Sequence, residues 1–66
     1  MAVLKVIEIL ANSDSSWEDA TKKAVKHASK SVKNIRSVYV KEQSASVTNG
    51  EVTDFRVNVK ITFEVN

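Results

Sequence analysis

Residues 51–65 read EVTDFRVNVKITFEV, and their alternation decides the fold. Thr53, Phe55, Val57, Val59, Ile61, Phe63 and Val65 fall on one side, and Asp54, Arg56, Asn58, Lys60, Thr62 and Glu64 on the other. An unbroken period of two marks a single strand, Glu51–Val65. At about 3.3 Å per residue it reaches about 50 Å, several times what so small a chain needs for its own core. Part of the strand is therefore expected to pack against other copies of the chain, and the working unit to be an oligomer.

Working back from this strand, Asn49-Gly50 supplies the two positive-φ positions of a type I′ hairpin turn. The partner strand is expected over Arg36–Thr48. Pairing Thr48 with Glu51 and counting outward sets Gln43 opposite Arg56, Lys41 opposite Asn58, Tyr39 opposite Lys60 and Ser37 opposite Thr62, all on one polar face unless a bulge intervenes. The other face pairs Val38 with Ile61 and Val40 with Val59. Upstream, Ser15 followed by Glu18 reads as a capping box opening a helix over Ser16–Lys33. Trp17, Ala20, Ala24, Val25, Ala28, Val32 and Ile35 recur at helical spacing, a stripe of mostly small residues that lets a sheet approach closely. Asn34 reads as a left-handed helix terminator. The first strand, Ala2–Leu10, carries bulky residues on both faces, Leu4, Val6 and Leu10 against Val3, Ile7 and Ile9, as a central or interface strand would. The fold class is α+β: a β-α-β-β unit whose three-stranded antiparallel sheet wraps around one helix, forming one domain over residues 1–66.

Composition narrows the function classes. A 66-residue chain without cysteine has neither disulfides nor thiolate zinc sites to reinforce a small core, which again favours oligomerisation. Met1 to Leu10 interrupts its apolar run with Lys5 and Glu8, and no segment approaches the roughly 20 apolar residues of a membrane span, so a cytoplasmic protein is expected. A single glycine rules out the glycine-rich phosphate and dinucleotide loops. The one histidine, His27, falls among lysines on the helix with no nucleophile or carboxylate at catalytic spacing, so no enzyme is expected. What remains is the polar sheet face, where Tyr39, Gln43, Arg56 and Asn58 can line a pocket between copies.

The order strand, capped helix, hairpin, together with Lys5-Val6-Ile7-Glu8-Ile9, Ser15-Ser16-Trp17-Glu18-Asp19-Ala20, Ala24-Val25 and Arg56-Val57-Asn58-Val59-Lys60-Ile61-Thr62-Phe63, resembles the dodecin family over nearly the whole length. The resemblance implies a protomer of which twelve copies form a hollow shell of cubic symmetry, with ligands held between subunits. It further implies a flavin (FMN, riboflavin or FAD) stacked on a tryptophan near the start of the second strand and bonded at its edge by a glutamine of the third. This chain has Ser37 and Arg56 at those two positions. A serine cannot reproduce a stacking ring, whose specific geometry contributes about 0.5–1.5 kcal/mol beyond its buried area. Trp17, at the helix start, reads as a core anchor or interface plug instead.

Three functions follow as expectations. The first is a homododecameric, non-enzymatic storage shell of the dodecin type, holding a flavin or similar flat ligand through Ser37, Tyr39, Gln43 and Arg56. The second is a flavin-independent assembly, structural or binding calcium or magnesium, with Glu8, Asp14 and Glu18, and beyond them Asp19, Asp54 and Glu64, as oxygen donors once symmetry multiplies them. The third is an electrostatic binder of nucleic acid through Lys22, Lys26, Lys30 and Lys33. A net charge of only +2, with Glu18 and Asp19 close by, argues against it.

Overall fold

The computed structural model describes residues 2–65; Met1 and Asn66, the ends of the expected 1–66 domain, lie outside the described residues. Strand β1 (Val3–Ser13) leads into helix α1 (Trp17–Ala28), followed by β2 (Ile35–Thr48) and β3 (Glu51–Val65). The three strands form one antiparallel sheet in the order β1-β3-β2. The β-α-β-β unit is thus as its sequence reads, and β3 has the expected bounds.

The hairpin turn follows from its two residues. Asn49 and Gly50 take φ of 52° and 79°, the left-handed values a type I′ turn requires. Asn34 is also left-handed, at φ 62°, but it marks the entry to β2 and not the end of the helix. The helix stops earlier than its stripe suggested. After Ala28 the backbone tightens: Lys30 N–H donates to the His27 carbonyl (3.2 Å) and Ser31 N–H to that of Ala28 (3.0 Å). The Ser29 hydroxyl donates to the Lys26 carbonyl at 2.7 Å, the local side-chain bonding by which serine competes with a continuing helix. Val32 and Ile35 therefore lie beyond the helix.

The cap is one residue later than expected. Ser16, in extended conformation, is the N-cap, and its side chain accepts from the Asp19 N–H at 3.0 Å. Ser13 completes the corner, its hydroxyl donating to Asp19 Oδ2 at 2.6 Å and accepting from the Ser15 N–H at 2.9 Å. The residue three places after the cap is then an aspartate, too short for the reciprocal bond of a capping box, so the serine of the preceding strand takes up its carboxylate.

Ala20, Ala24 and Ala28 are buried against Val57, Val59 and Ile61 of β3, the last three fully covered. Small helix residues over branched sheet residues give the close approach the stripe implied. Burying side chains of this size stabilises the fold by about 1.5–3 kcal/mol each. Ile7, Ile9 and Ala11 of β1 join this layer from one side and Val40 of β2 from the other. The reading of β1 as central is corrected: β3 lies in the middle and β1 forms an edge, running three residues past Leu10 to Ser13. Its second apolar row, Leu4, Val6 and Leu10, was the reason for a central or interface assignment; in the single chain that row is bare, Leu10 being 67% exposed.

Candidate functional site

The polar face opposite the helix is the surface on which site residues were expected, and strand register decides which of them reach it. Ser37 pairs with Thr62, Tyr39 with Lys60 and Val40 with Val59, as counted from the turn. Between these pairs and the turn the count slips. An extra residue, Thr53, opens one irregularity on β3, and Lys41 opens a second on β2, so that Glu42 faces Asn58, Gln43 faces Val57 and Ser44 faces Arg56. These two irregularities cancel, so the pairs from Val40 to Ser37 are in the expected register while those from Ser46 to Glu42 are displaced by one; a third, at Arg36, sets Ile35 opposite Phe63 at the far end. Displacement by one residue moves a side chain to the other face.

Gln43 is the residue affected. Its partner Val57 is in the core, so Gln43 lies on the helix side of the sheet, whereas Ser37, Tyr39 and Arg56 remain on the outer face. The expected pairing of Gln43 with Arg56 is corrected to Ser44 with Arg56, and that of Lys41 with Asn58 to Glu42 with Asn58. A bulge of this kind re-aims side chains without any special residue to announce it, so nothing in the local sequence gave it away.

On the outer face Tyr39 stands 66% exposed beside Ser37. Arg56 is steadied from β1, its Nε donating to Asn12 Oδ1 at 3.1 Å. That contact depends on β1 continuing past Leu10. Glu8 projects onto the same face opposite Lys60 and lies 3.6 Å from the Lys41 ammonium. Its carboxyl is held below the usual range, first by the Asn58 side-chain amide and then by Lys41. The oxygen of that amide, Asn58 Oδ1, is buried without a hydrogen-bond partner. The face thus carries one exposed aromatic ring and a mixed set of charges, with no ring at Ser37 for a flat ligand to stack on.

The expected metal donors do not converge within the chain. Glu8 is on the outer sheet face with a cation beside it, while Asp14 and Glu18 lie at the β1–α1 corner. Asp19 is taken by the Ser13 hydroxyl and by Lys23 at 2.9 Å, which hold its carboxyl below the usual range in that order, and Lys23 is raised in turn. Among the described residues no group of three or more histidines, cysteines or carboxylates could hold a metal ion. Lys22, Lys26, Lys30 and Lys33 are exposed, but only the first two are on α1, so the regular basic stripe expected for nucleic acid is broken by the early end of the helix. No helix among the described residues is long and apolar enough to cross a membrane.

On the helix side lies a groove of about 370 Å³ between α1 and β2, lined by Trp17, Glu18, Thr21, Lys22, Val40 and Gln43. Trp17, read from the sequence as a core anchor or interface plug, forms one wall. Its indole N–H donates to the Ser44 carbonyl at 2.9 Å, and Phe55 meets it edge-on at 4.9 Å and 78°.

A family model described as dodecin matches residues 3–66. The calcium dodecin of Mycobacterium tuberculosis is 37% identical over 65 residues, covering 98% of this chain and 92% of that protein. A crystal structure of calcium dodecin from that organism, described as calcium chelating and as having a novel calcium-binding site, superposes with a TM-score of 0.84 at 36% identity, covering 97% of this chain and 91% of the other. A single-residue variant of the Thermus thermophilus dodecin gives a TM-score of 0.94 at 23% identity, covering 100% and 98%. Dodecin from Streptomyces coelicolor gives 0.93 at 22%, covering 98% and 93%. The higher TM-scores accompany the lower identities. Backbone likeness at that identity speaks for the protomer fold alone, and the residues that would face a ligand are better compared with the 36–37% relatives.

Proposed function

The chain belongs to the dodecin family, and from that premise we propose that it is a homododecameric, non-enzymatic binding and storage protein whose occupant is a divalent cation, calcium before magnesium, rather than a flavin. The observation that carries this reading is Ser37. It lies on the outer sheet face at the position where the resemblance implies a stacking tryptophan, and the bulge at Lys41 has turned Gln43 away from that face. The residues present do not fit a stacked flavin. The M. tuberculosis relative, named a calcium dodecin, supports the cation.

One subunit does not fit a calcium ion either, since calcium takes six to eight oxygens and its carboxylates are dispersed. Donors must come from more than one copy. Of the three candidates, Glu8 has an ammonium beside it, which leaves Asp14 and Glu18, at the exposed β1–α1 corner, as the pair to bring together at an interface. The bare row Leu4, Val6 and Leu10 gives the assembly an apolar surface to bury.

A second reading, a flat ligand on the outer face, is favoured by one observation, the exposed ring of Tyr39 flanked by Ser37 and Lys60. One sample separates the two. Calcium calorimetry and an FMN fluorescence titration are run on assembled protein whose mass is measured by light scattering. Binding heat with calcium and unquenched FMN is the expected result. Quenched FMN without calcium heat reverses the order of the readings, and a monomer would remove the shell from both.

A further inference from the structure

Asn49 and Gly50, at the tip of the β2–β3 hairpin, set a side-chain amide beside a backbone nitrogen that nothing shields. Both residues are exposed. Gly50 has no side chain to hinder approach to its nitrogen, and a methyl group built on its Cα would meet nothing within 4 Å. In a two-residue hairpin the ladder bonds belong to the flanking pair, here Thr48 and Glu51. Among the described residues nothing accepts from the Gly50 N–H, which faces solvent. The turn is also weakly held. Val47 and Val52 behind it lie beyond the cover of α1, 65% and 53% exposed, and the irregularity at Thr53 interrupts the ladder one pair further on. Local opening is easiest where few buried contacts resist it. The backbone at Asn49 can then leave its left-handed conformation, φ 52°, and bring the Gly50 nitrogen to Asn49 Cγ.

We propose that Asn49 is a self-modification site, at which the Gly50 backbone nitrogen displaces the Asn49 side-chain amide and the residue becomes aspartyl or isoaspartyl. The Gly50 amide gives its proton to solvent and attacks Cγ. A bond forms between that nitrogen and Cγ, the Cγ–Nδ2 bond breaks, and Nδ2 leaves as ammonia, closing a five-membered imide. Water then opens the imide at either carbonyl, with no oxidant or reductant consumed. Opening at Cγ restores the original backbone with an aspartate; opening at the backbone carbonyl routes the main chain through Cγ and lengthens it by one carbon. Either product places a carboxylate next to Glu51 and takes one unit from the chain's net charge of +2. The isoaspartyl product cannot keep the two-residue turn, whose length fixes the register. The Val47–Val52 pair is released, and the apolar surface it offers to another copy is lost. That effect on assembly rests on the oligomeric reading above; the modification itself does not.

The chain holds its own controls. Asn34 shares the left-handed backbone at φ 62°, but it precedes Ile35, whose branched side chain crowds the nitrogen, and its carbonyl accepts from the Glu64 N–H at 3.0 Å. Asn12 precedes Ser13, and its Oδ1 accepts from Arg56 Nε at 3.1 Å; Asn58 precedes the buried Val59. Trypsin puts these four asparagines on separate peptides, Asn49 falling in residues 42–56 between the cuts after Lys41 and Arg56. The assembled protein is held for weeks in mildly alkaline buffer, separated by size into assembled and shed chains, and digested for mass spectrometry. Peptide 42–56 should gain one mass unit and split chromatographically into aspartyl and isoaspartyl forms, the latter enriched in the shed chains. The peptides of Asn12, Asn34 and Asn58 should keep their masses. Gly50→Ala puts a Cβ beside the attacking nitrogen, which hinders it whether or not the turn forms, and should leave peptide 42–56 unmodified. The proposal is overturned if peptide 42–56 of the parent keeps its mass, if the Asn34 peptide is modified as fast, or if Gly50→Ala makes no difference. Equal isoaspartyl content in shed and assembled chains overturns the effect on assembly. A protein that is monomeric from the start fails the oligomeric reading, and peptide 42–56 then decides the modification by itself.

Discussion

Val57 and Val59 have no exposed surface, whereas Val47 and Val52, on the same hairpin and the same side of it, are 65% and 53% exposed. The residue type is identical and the strand conformation continuous, so the difference lies in what is above them. Twelve residues of α1 span about 18 Å, and the subunit is 51 Å long. One half of the sheet is covered by the chain's own helix; the hairpin half and the outer row of β1 are not. A sheet built well beyond its helix is a surface made to be covered by something else, and in the proposed assembly that is another copy.

The sharpest way to break this contrast is to damage each half separately. Ile61→Ala, in the covered half, should cost about 2–5 kcal/mol, enough in a domain of this size to lower the melting temperature by well over 10 °C or to prevent folding. Leu10→Asp, on the bare outer row, should leave the far-UV circular dichroism of the subunit intact while reducing the mass seen by light scattering. If Leu10→Asp unfolds the subunit, or leaves the assembly whole, the two halves do not differ as described.

A smaller effect distinguishes the two serines at the helix start. Ser16→Ala should cost about 1 kcal/mol by thermal melting, the usual value of an N-cap, and Ser15→Ala close to nothing, because only the Ser16 side chain accepts the Asp19 N–H. Equal losses would place the cap where the sequence first suggested it.

The smallest effect is in the pH dependence of the same corner. The Asp19 carboxyl is held below its ordinary value by the Ser13 hydroxyl and then by Lys23. A folded-state value below the unfolded one means a contribution to stability that is fully present above the ordinary aspartate range and lost as pH falls through the lowered value. Asp19→Asn should therefore be somewhat less stable than the parent at neutral pH and draw level with it as both are melted at pH 4 and then pH 3. A gap that persists undiminished into acid would mean the carboxylate charge is not what matters.

The differences between expectation and structure in the sheet share a cause. Local chemistry located the Asn49-Gly50 turn, the long strand β3 and the alanine stripe of α1, since each depends on backbone preference or on a period within one element. The two bulges depend on how β2 and β3 lie against each other over a dozen pairs, and they alone moved Gln43 from the outer face to the groove with Trp17. The place of β1 at the edge likewise follows from pairing between elements distant in sequence, whereas the shift of the cap from Ser15 to Ser16 rests on local bonds, Asp19 to Ser16 and Ser13 to Asp19. By itself, then, the sequence determined the β-α-β-β unit, its antiparallel hairpin and the side of the sheet that meets the helix, because periodicity is written residue by residue. Only the tertiary structure decided which polar residues stand together, because a slip of a single pair inverts a face and leaves no mark on the chain.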